Sequence, residues 1–254
     1  MQYLYSFIIC LLFIGSCSSQ NNQTPISKTK LNDSDSGIVI MELFTSQGCS
    51  SCPAADALME QLSEKYSQPN FIFLAYHVDY WDNLGWRDIF GSSINSTRQK
   101  EYARSLSASG VYTPQVFINA RQEFIGGRAK EIEAAIRHTA AHSGVHPLAY
   151  TIRNMRIYLS DSIQNIDIQA RKDISVLLIS CIPDSTVAVK RGENGGREIH
   201  YSHIVNKITT YPFDKQSFID TKEINPVFDN YILVQNRKSK RIYGATKLRK
   251  ELIE

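Results

Sequence analysis

The chain has 254 residues, 43% of them hydrophobic and 21% charged, with a formal net charge of +3. That length supports a sizeable core, as one large domain or two modest ones, and the composition is that of an ordinary globular protein. The charge is too small, and too evenly spread, to imply nucleic acid as a partner.

Residues 1–16 are almost wholly apolar and carry no charge. The run 7–14 is too short to span a bilayer as a helix but suits the apolar region of an export signal. It ends in Ile14-Gly15-Ser16-Cys17, which resembles the lipobox of a bacterial lipoprotein. That resemblance makes 1–17 a lipoprotein signal peptide and lipobox, with Cys17 the lipidated first residue of the mature protein; an ordinary secretory signal is the alternative. Residues 18–36 are polar and rich in Ser and Asn, too poor in apolar surface to offset ordering entropy, and read as a flexible linker.

Residues 37–44 form a strand-like run that empties into a polar turn holding Cys49-Ser50-Ser51-Cys52-Pro53. A helical stripe follows at Ala55, Leu58, Met59, Leu62 and Tyr66, with the spacing of one buried face. Cys-x-x-Cys at a strand-to-helix junction reads as a thioredoxin-like redox centre. A helix start favours an anion, so Cys49 is the expected nucleophile and Cys52 the resolving thiol. Half of a zinc site, an inert disulfide and two unrelated buried thiols are the rival readings. Cys181, in the apolar run 174–182, is expected to be a buried, unpaired core thiol.

Next comes an apolar strand, 70–79, ending in His77 and Asp79, then an aromatic loop with Tyr80, Trp81 and Trp86. A helix over about 93–106, strands at 111–119 and 123–126, and a helix over 128–142 complete the order β-α-β-α-β-β-α. Parallel strands joined by helices and closed by a hairpin make an α/β layered plan. His77 and Asp79 end a strand, where open α/β sheets border their sites. His77 can assist thiolate formation, join the two cysteines in a metal set, or simply be a satisfied core histidine. Tyr80, Trp81 and Trp86 are candidates for a substrate-binding wall, or else core for a long loop.

Cys49-Ser-Ser-Cys52 together with Thr113-Pro114 before a later strand resembles the two fixed points of the thioredoxin fold. The resemblance implies a cis Pro114 facing the cysteines, a Thr113 backbone that pairs with an extended substrate, and Glu42 near the family's buried acid, where a raised pKa would let it move protons for Cys52. A narrower likeness rests on residues 42–53, on His77-Val-Asp-Tyr-Trp-Asp82, Leu84-Gly-Trp86, Arg98-Gln-x-x-Tyr102 and Val111-Tyr-Thr-Pro-Gln115. Together they resemble a secreted bacterial family listed as domain of unknown function 1223, with a thioredoxin-like fold.

From Val145 the texture changes to short alternating runs with turn clusters, which reads as an antiparallel β-sandwich. The expected organisation is therefore a thioredoxin-like domain at 37–144 and a β-sandwich-like domain at 145–254. Residues 190–197 lack the Gly-Lys-Ser/Thr ending of a phosphate loop and read as a long hairpin loop, one that reaches over the redox centre with Arg191, Arg197 and His200. The function expected is thiol–disulfide exchange in the cell envelope, on protein or small-thiol disulfides. It needs no cofactor but does need a redox partner. The alternatives are a metal-binding protein (Cys49, Cys52, His77) or a ligand-binding lipoprotein without catalysis.

Overall fold

The computed structural model describes residues 37–159, 172–214 and 218–250. The leader, Cys17, the linker 18–36 and the part of the alternating runs after Val145 that falls in 160–171 lie outside these residues.

The first half follows the order read from the sequence. Strand β1 (Val39–Thr45) leads into helix α1 (Cys52–Lys65), β2 (Phe71–His77), α2 (Ser93–Ser105), the hairpin β3 (Gln115–Ile118) and β4 (Gln122–Ile125), and α3 (Ala129–His142). β1 pairs with β2 in parallel, Thr45 opposite His77, so both strands end at the same edge. β3 runs antiparallel to β1 with Phe44 opposite Gln115, which brings the start of β3 to that edge as well. Three connections, after β1, after β2 and before β3, thus converge there.

Alternation along β1 separates two layers. Val39, Met41 and Leu43 pack with Ala55, Met59 and Leu62 of α1 and with α3. Ile40 and Phe44 point the other way, into a cluster with Tyr76 and Tyr102. Because side chains alternate across a strand, Glu42 belongs to this second, α2-side face.

The second half brings β5 (His146–Pro147), β6 (Tyr150–Arg153), β7 (Arg156–Leu159), β8 (Ile174–Ala188), β9 (Glu198–Pro212), β10 (Ile219–Asp220), β11 (Asp229–Asn236) and β12 (Ile242–Lys247). These strands do not build a free-standing sandwich. Five of them continue the first sheet, in the order β4-β3-β1-β2-β9-β8-β11-β12-β5, and only β10-β7-β6 form a second, antiparallel sheet. The seam is β2 against β9, with Ala75 opposite Ile204. Apolar burial explains the merger: Leu177, Ile179, Val205, Tyr231 and Leu233 share one cluster with Ile40, Phe44 and Leu74, so the core runs across the seam. The small sheet covers the opposite face of the distal strands through Ile157, Ile219, Ile174, Val176 and Ile232. The fold is a mixed α/β layer structure with one large mixed sheet and one small antiparallel one.

Candidate redox site

Cys49 and Cys52 are joined in a disulfide at the start of α1, with their Cα atoms 5.4 Å apart. The Cys52 amide donates to the Cys49 carbonyl at 3.2 Å, closing the turn, and Pro53 occupies the first helical turn, where a missing N–H costs nothing. Ser51 caps α1 without a side-chain hydrogen bond and the first turn carries no acid, so no side chain of α1 itself offsets the positive end of the helix. Ser50 and Ser51 are exposed, but Cys49 is only 1% exposed and Cys52 fully buried.

The Thr113–Pro114 peptide bond is cis. Register places it one step beyond the Phe44–Gln115 pair, beside the end of β1. Pro114 is packed by Gly126: its amide donates to the Pro114 carbonyl at 2.8 Å, and a Cβ there would stand 2.6 Å from Pro114 Cβ and 3.0 Å from Ala55 Cβ. Only glycine lets the proline, the β4 end and α1 approach this closely.

The aromatic loop braces both halves of the site. Trp81 Nε1 donates to Thr113 Oγ1 at 2.8 Å, while its Cβ lies where Gly48 admits no side chain. Trp86 Nε1 donates to Gln47 Oε1 at 2.8 Å, and Tyr80 OH to Gln99 Oε1 at 3.2 Å. Gln99 Nε2 in turn donates to the Tyr112 carbonyl and to Gln115 Oε1, both at 2.7 Å. The tryptophans and Tyr80 therefore fix the loops around the disulfide, and Tyr80 keeps 37% of its surface exposed.

Two expected residues lie elsewhere. Glu42 is fully buried, but on the opposite face of the sheet from α1, where Arg98 Nε and a terminal nitrogen donate to its Oε1 at 2.9 and 2.6 Å. Arg98 also donates to Tyr102 OH and stacks over Tyr76 and Tyr102. Facing that way, Glu42 cannot relay a proton to Cys52; it balances a buried arginine. Asp79 turns to the start of α2, accepting from Ser96 Oγ through its carboxylate.

The acid behind the cysteines is Asp56. It shares the buried face of α1 with Cys52, one helical turn on, and accepts from Thr45 Oγ1 at 3.0 Å. Burial pushes its pKa up to about 7, against the partial opposition of His77 and the Thr45 hydrogen bond. His77 is fully buried, with Nδ1 2.7 Å from Asp88 Oδ2 and its ring edge-on to Phe90 and Tyr201. Burial alone would lower its pKa, but the charge and hydrogen bond of Asp88, with a smaller contribution from Asp56, raise it. Asp88 is held below the usual carboxylate range: burial works against ionisation, while His77 and amide donors outweigh it. One of those donors is the Gln47 amide, at 2.8 Å, which ties the pair directly to the disulfide turn. Asp56 had a sequence signal, a lone carboxylate on an otherwise apolar helix stripe. Asp88 had none.

A third segment arrives from the far half of the chain. In the loop between β8 and β9, Asn194 is fully buried and its Nδ2 donates to the carbonyls of Gln47 (2.9 Å) and Cys49 (2.8 Å). Ser50 N donates to Glu193 Oε2 at 2.9 Å. Gly192, at φ +77°, lies against the Trp86 Cβ. The expected reach of residues 190–197 over the cysteines is thus made by Glu193 and Asn194. Arg197 supports Asn194 from 3.0 Å, and His200 instead faces Glu60 on α1. Among the described residues, no three His, Cys, Asp or Glu side chains are grouped to hold a metal ion, since His77 is turned to Asp88 rather than to the sulfurs. Cys181 is a free, fully buried thiol away from this site, in the cluster beneath β8.

The fold is similar to that of a crystal structure of a protein from Agrobacterium tumefaciens, at 27% identity, TM-score 0.64, covering 84% of this chain and 95% of that one. It also resembles HBP35 of Porphyromonas gingivalis at the level of fold, with 12% identity, TM-score 0.52, and coverage of 85% and 76%. No curated protein matches the chain. The family described as "Protein of unknown function (DUF1223)" matches residues 40–225, a span that takes in both cysteines, Pro114 and the 190–197 loop, and the chain belongs to that family.

Proposed function

We propose that this is a thioredoxin-like thiol–disulfide oxidoreductase of the bacterial cell envelope, anchored through a lipidated Cys17. The observation that carries the reading is the Cys49–Cys52 disulfide opening α1 beside the cis Thr113–Pro114 bond. A helix start stabilises the attacking thiolate, and a resolving sulfur lies one turn away.

In the reductive direction the Cys49 thiolate attacks one sulfur of a substrate disulfide, forming a Cys49–substrate bond and releasing the first substrate thiolate. Cys52 then loses its proton and attacks the Cys49 sulfur, closing the protein disulfide and releasing the second thiolate. The substrate gains two electrons and the pair loses two; a dithiol donor must restore them. Asp56, at about 7 and next to Cys52 on the helix face, is suited to take the Cys52 proton and return it to a leaving thiolate. Asp88 and His77 hold Gln47 and hence the turn.

The test is trapping. Cys52→Ser, reduced and expressed in the envelope, is expected to accumulate mixed disulfides through Cys49. If nothing is captured and the Cys49 alkylation pKa equals that of a free thiol, exchange is not the function.

A further inference from the structure

Glu193 is an exposed charged side chain brought onto the disulfide turn from the far half of the chain. Its carboxylate accepts the Ser50 N–H at 2.9 Å, between the two cysteines, and is fixed there by its neighbour Asn194, whose side chain is fully buried and bonded to the Gln47 and Cys49 carbonyls. Two hydrogen bonds from a buried amide are far more than a surface loop needs to rest on a helix start. They set Glu193 at a defined place on the turn between the two cysteines. No ion pair engages Glu193 among the described residues; Arg197 donates instead to Asn194 Oδ1.

The consequence follows from charge. An amide that would otherwise help to stabilise a sulfur anion is already spent on a carboxylate, and a second anion beside it is disfavoured. The other charges around the turn are Asp88 beneath Gln47, paired with His77, and Asp56 behind Cys52; Arg197 supplies the nearby cation. With Asp88 balanced by His77, Glu193 is an exposed carboxylate at the turn that no ion pair engages among the described residues.

We propose that Glu193 is a specificity residue of this site: it favours cationic over anionic disulfide substrates and makes the Cys49 thiolate less stable than a bare helix start would. The substrate-preference half rests on the exchange activity proposed above. The effect on the sulfur does not, because alkylation reads it without any exchange.

Reduced protein and its Glu193→Gln variant, which keeps shape and acceptor but not charge, would be reacted with cystamine (cationic), hydroxyethyl disulfide (neutral) and dithiodipropionate (anionic). The native protein should prefer cystamine over dithiodipropionate, and the rate ratio should fall roughly threefold or more in the variant, as expected for one exposed charge near the reacting sulfur. The iodoacetate-to-iodoacetamide alkylation ratio at Cys49 should rise by a similar factor, and the pH midpoint of iodoacetamide alkylation, which reads the stability of the thiolate itself, should fall in the variant. About 1 M salt, where screening acts over about 3 Å, should shrink both effects in the native protein, and this decides the matter even if the variant folds poorly. Unchanged ratios, or ratios insensitive to salt, overturn the proposal. If alkylation responds to Glu193 while no disulfide reacts faster than with a free thiol, the charge effect stands and the exchange reading falls.

Discussion

Asp56→Asn separates a buried acid from every other titrating group in this fold. The folded pKa of Asp56 is about 7 against an ordinary 3.8, with burial as the largest cause. That difference of about 3, at about 1.4 kcal/mol for each, makes ionising the carboxyl cost on the order of 4 kcal/mol more in the folded protein than in the unfolded chain. Because the folded pKa is raised, the contribution to stability is complete below about pH 4 and is lost as the pH rises to about 7. Asparagine keeps an oxygen to accept from Thr45 Oγ1 and never ionises. The variant should therefore match the native protein near pH 4 and overtake it progressively, by a few kcal/mol at pH 8. His77, also raised, adds a loss of the same sign above about 6.5, and Asp88, lowered, loses its contribution only as pH falls below the usual carboxylate range. His203, lowered, and Asp82, raised, also change their contributions inside the window between about 4.5 and 6.5, but both are common to the two proteins and cancel in the variant-minus-native difference, which isolates Asp56. Urea unfolding of the oxidised proteins, followed by the fluorescence of Trp81 and Trp86, gives the difference at each pH. A difference that does not change with pH would refute the assignment of Asp56 as a buried, neutral-favouring acid.

Removing one partner of the buried Glu42–Arg98 pair should be severe: Arg98→Met leaves a carboxylate uncompensated in the core and should cost about 3–5 kcal/mol by urea titration, while Glu42→Leu with Arg98→Met should recover most of it. Cys49 alkylation in the double variant should be unchanged, because the pair lies on the other face of the sheet. Gly126→Ala forces a Cβ to within 2.6 Å of Pro114, so it should lower stability by about 1–3 kcal/mol and slow Cys49 exchange, both measurable on the purified protein. Cys181 is fully buried and its pKa is held well above the usual thiol range by burial, so mass spectrometry should find it alkylated only in denaturant.

What the sequence disclosed depended on range. The strand–turn–helix around Cys49 is encoded locally: an apolar run, a polar turn and a 3.6-residue stripe state it within thirty or so positions. The Cys-x-x-Cys spacing and Thr113-Pro114 could be found the same way. Glu42 misled because its burial could be guessed while its face could not; alternation along β1 decides that, and register is set by partners far along the chain. Asp88 lies in a loop whose pattern of Asp and aromatic residues looks like solvent-facing sequence until His77 is placed beside it. Most strand pairs after 145 are antiparallel, as read, but β5 lies parallel to β12, and nothing local says that β9 pairs with β2. That pairing rests on a single register position and on a shared apolar cluster, which only the assembled core reveals.

That seam is also what gives the site its roof. β8 and β9 are each fifteen residues long, and past the seam their ends continue as a two-stranded arm. Val187, Val189, Ile199 and Tyr201 of this arm bury themselves with Ile204 against Trp86 and Phe90 of the aromatic loop. An arm held by its own cluster can present Glu193 and Asn194 to Cys49 from more than 140 residues away in sequence without any covalent constraint nearby. The same arm contributes Tyr201 to the edge of His77, so the face that covers the disulfide and the face that packs the buried histidine belong to one element. Contact with both the disulfide turn and the buried histidine from one element therefore follows from the merger of the two halves into one sheet, and a free-standing second domain could not provide it.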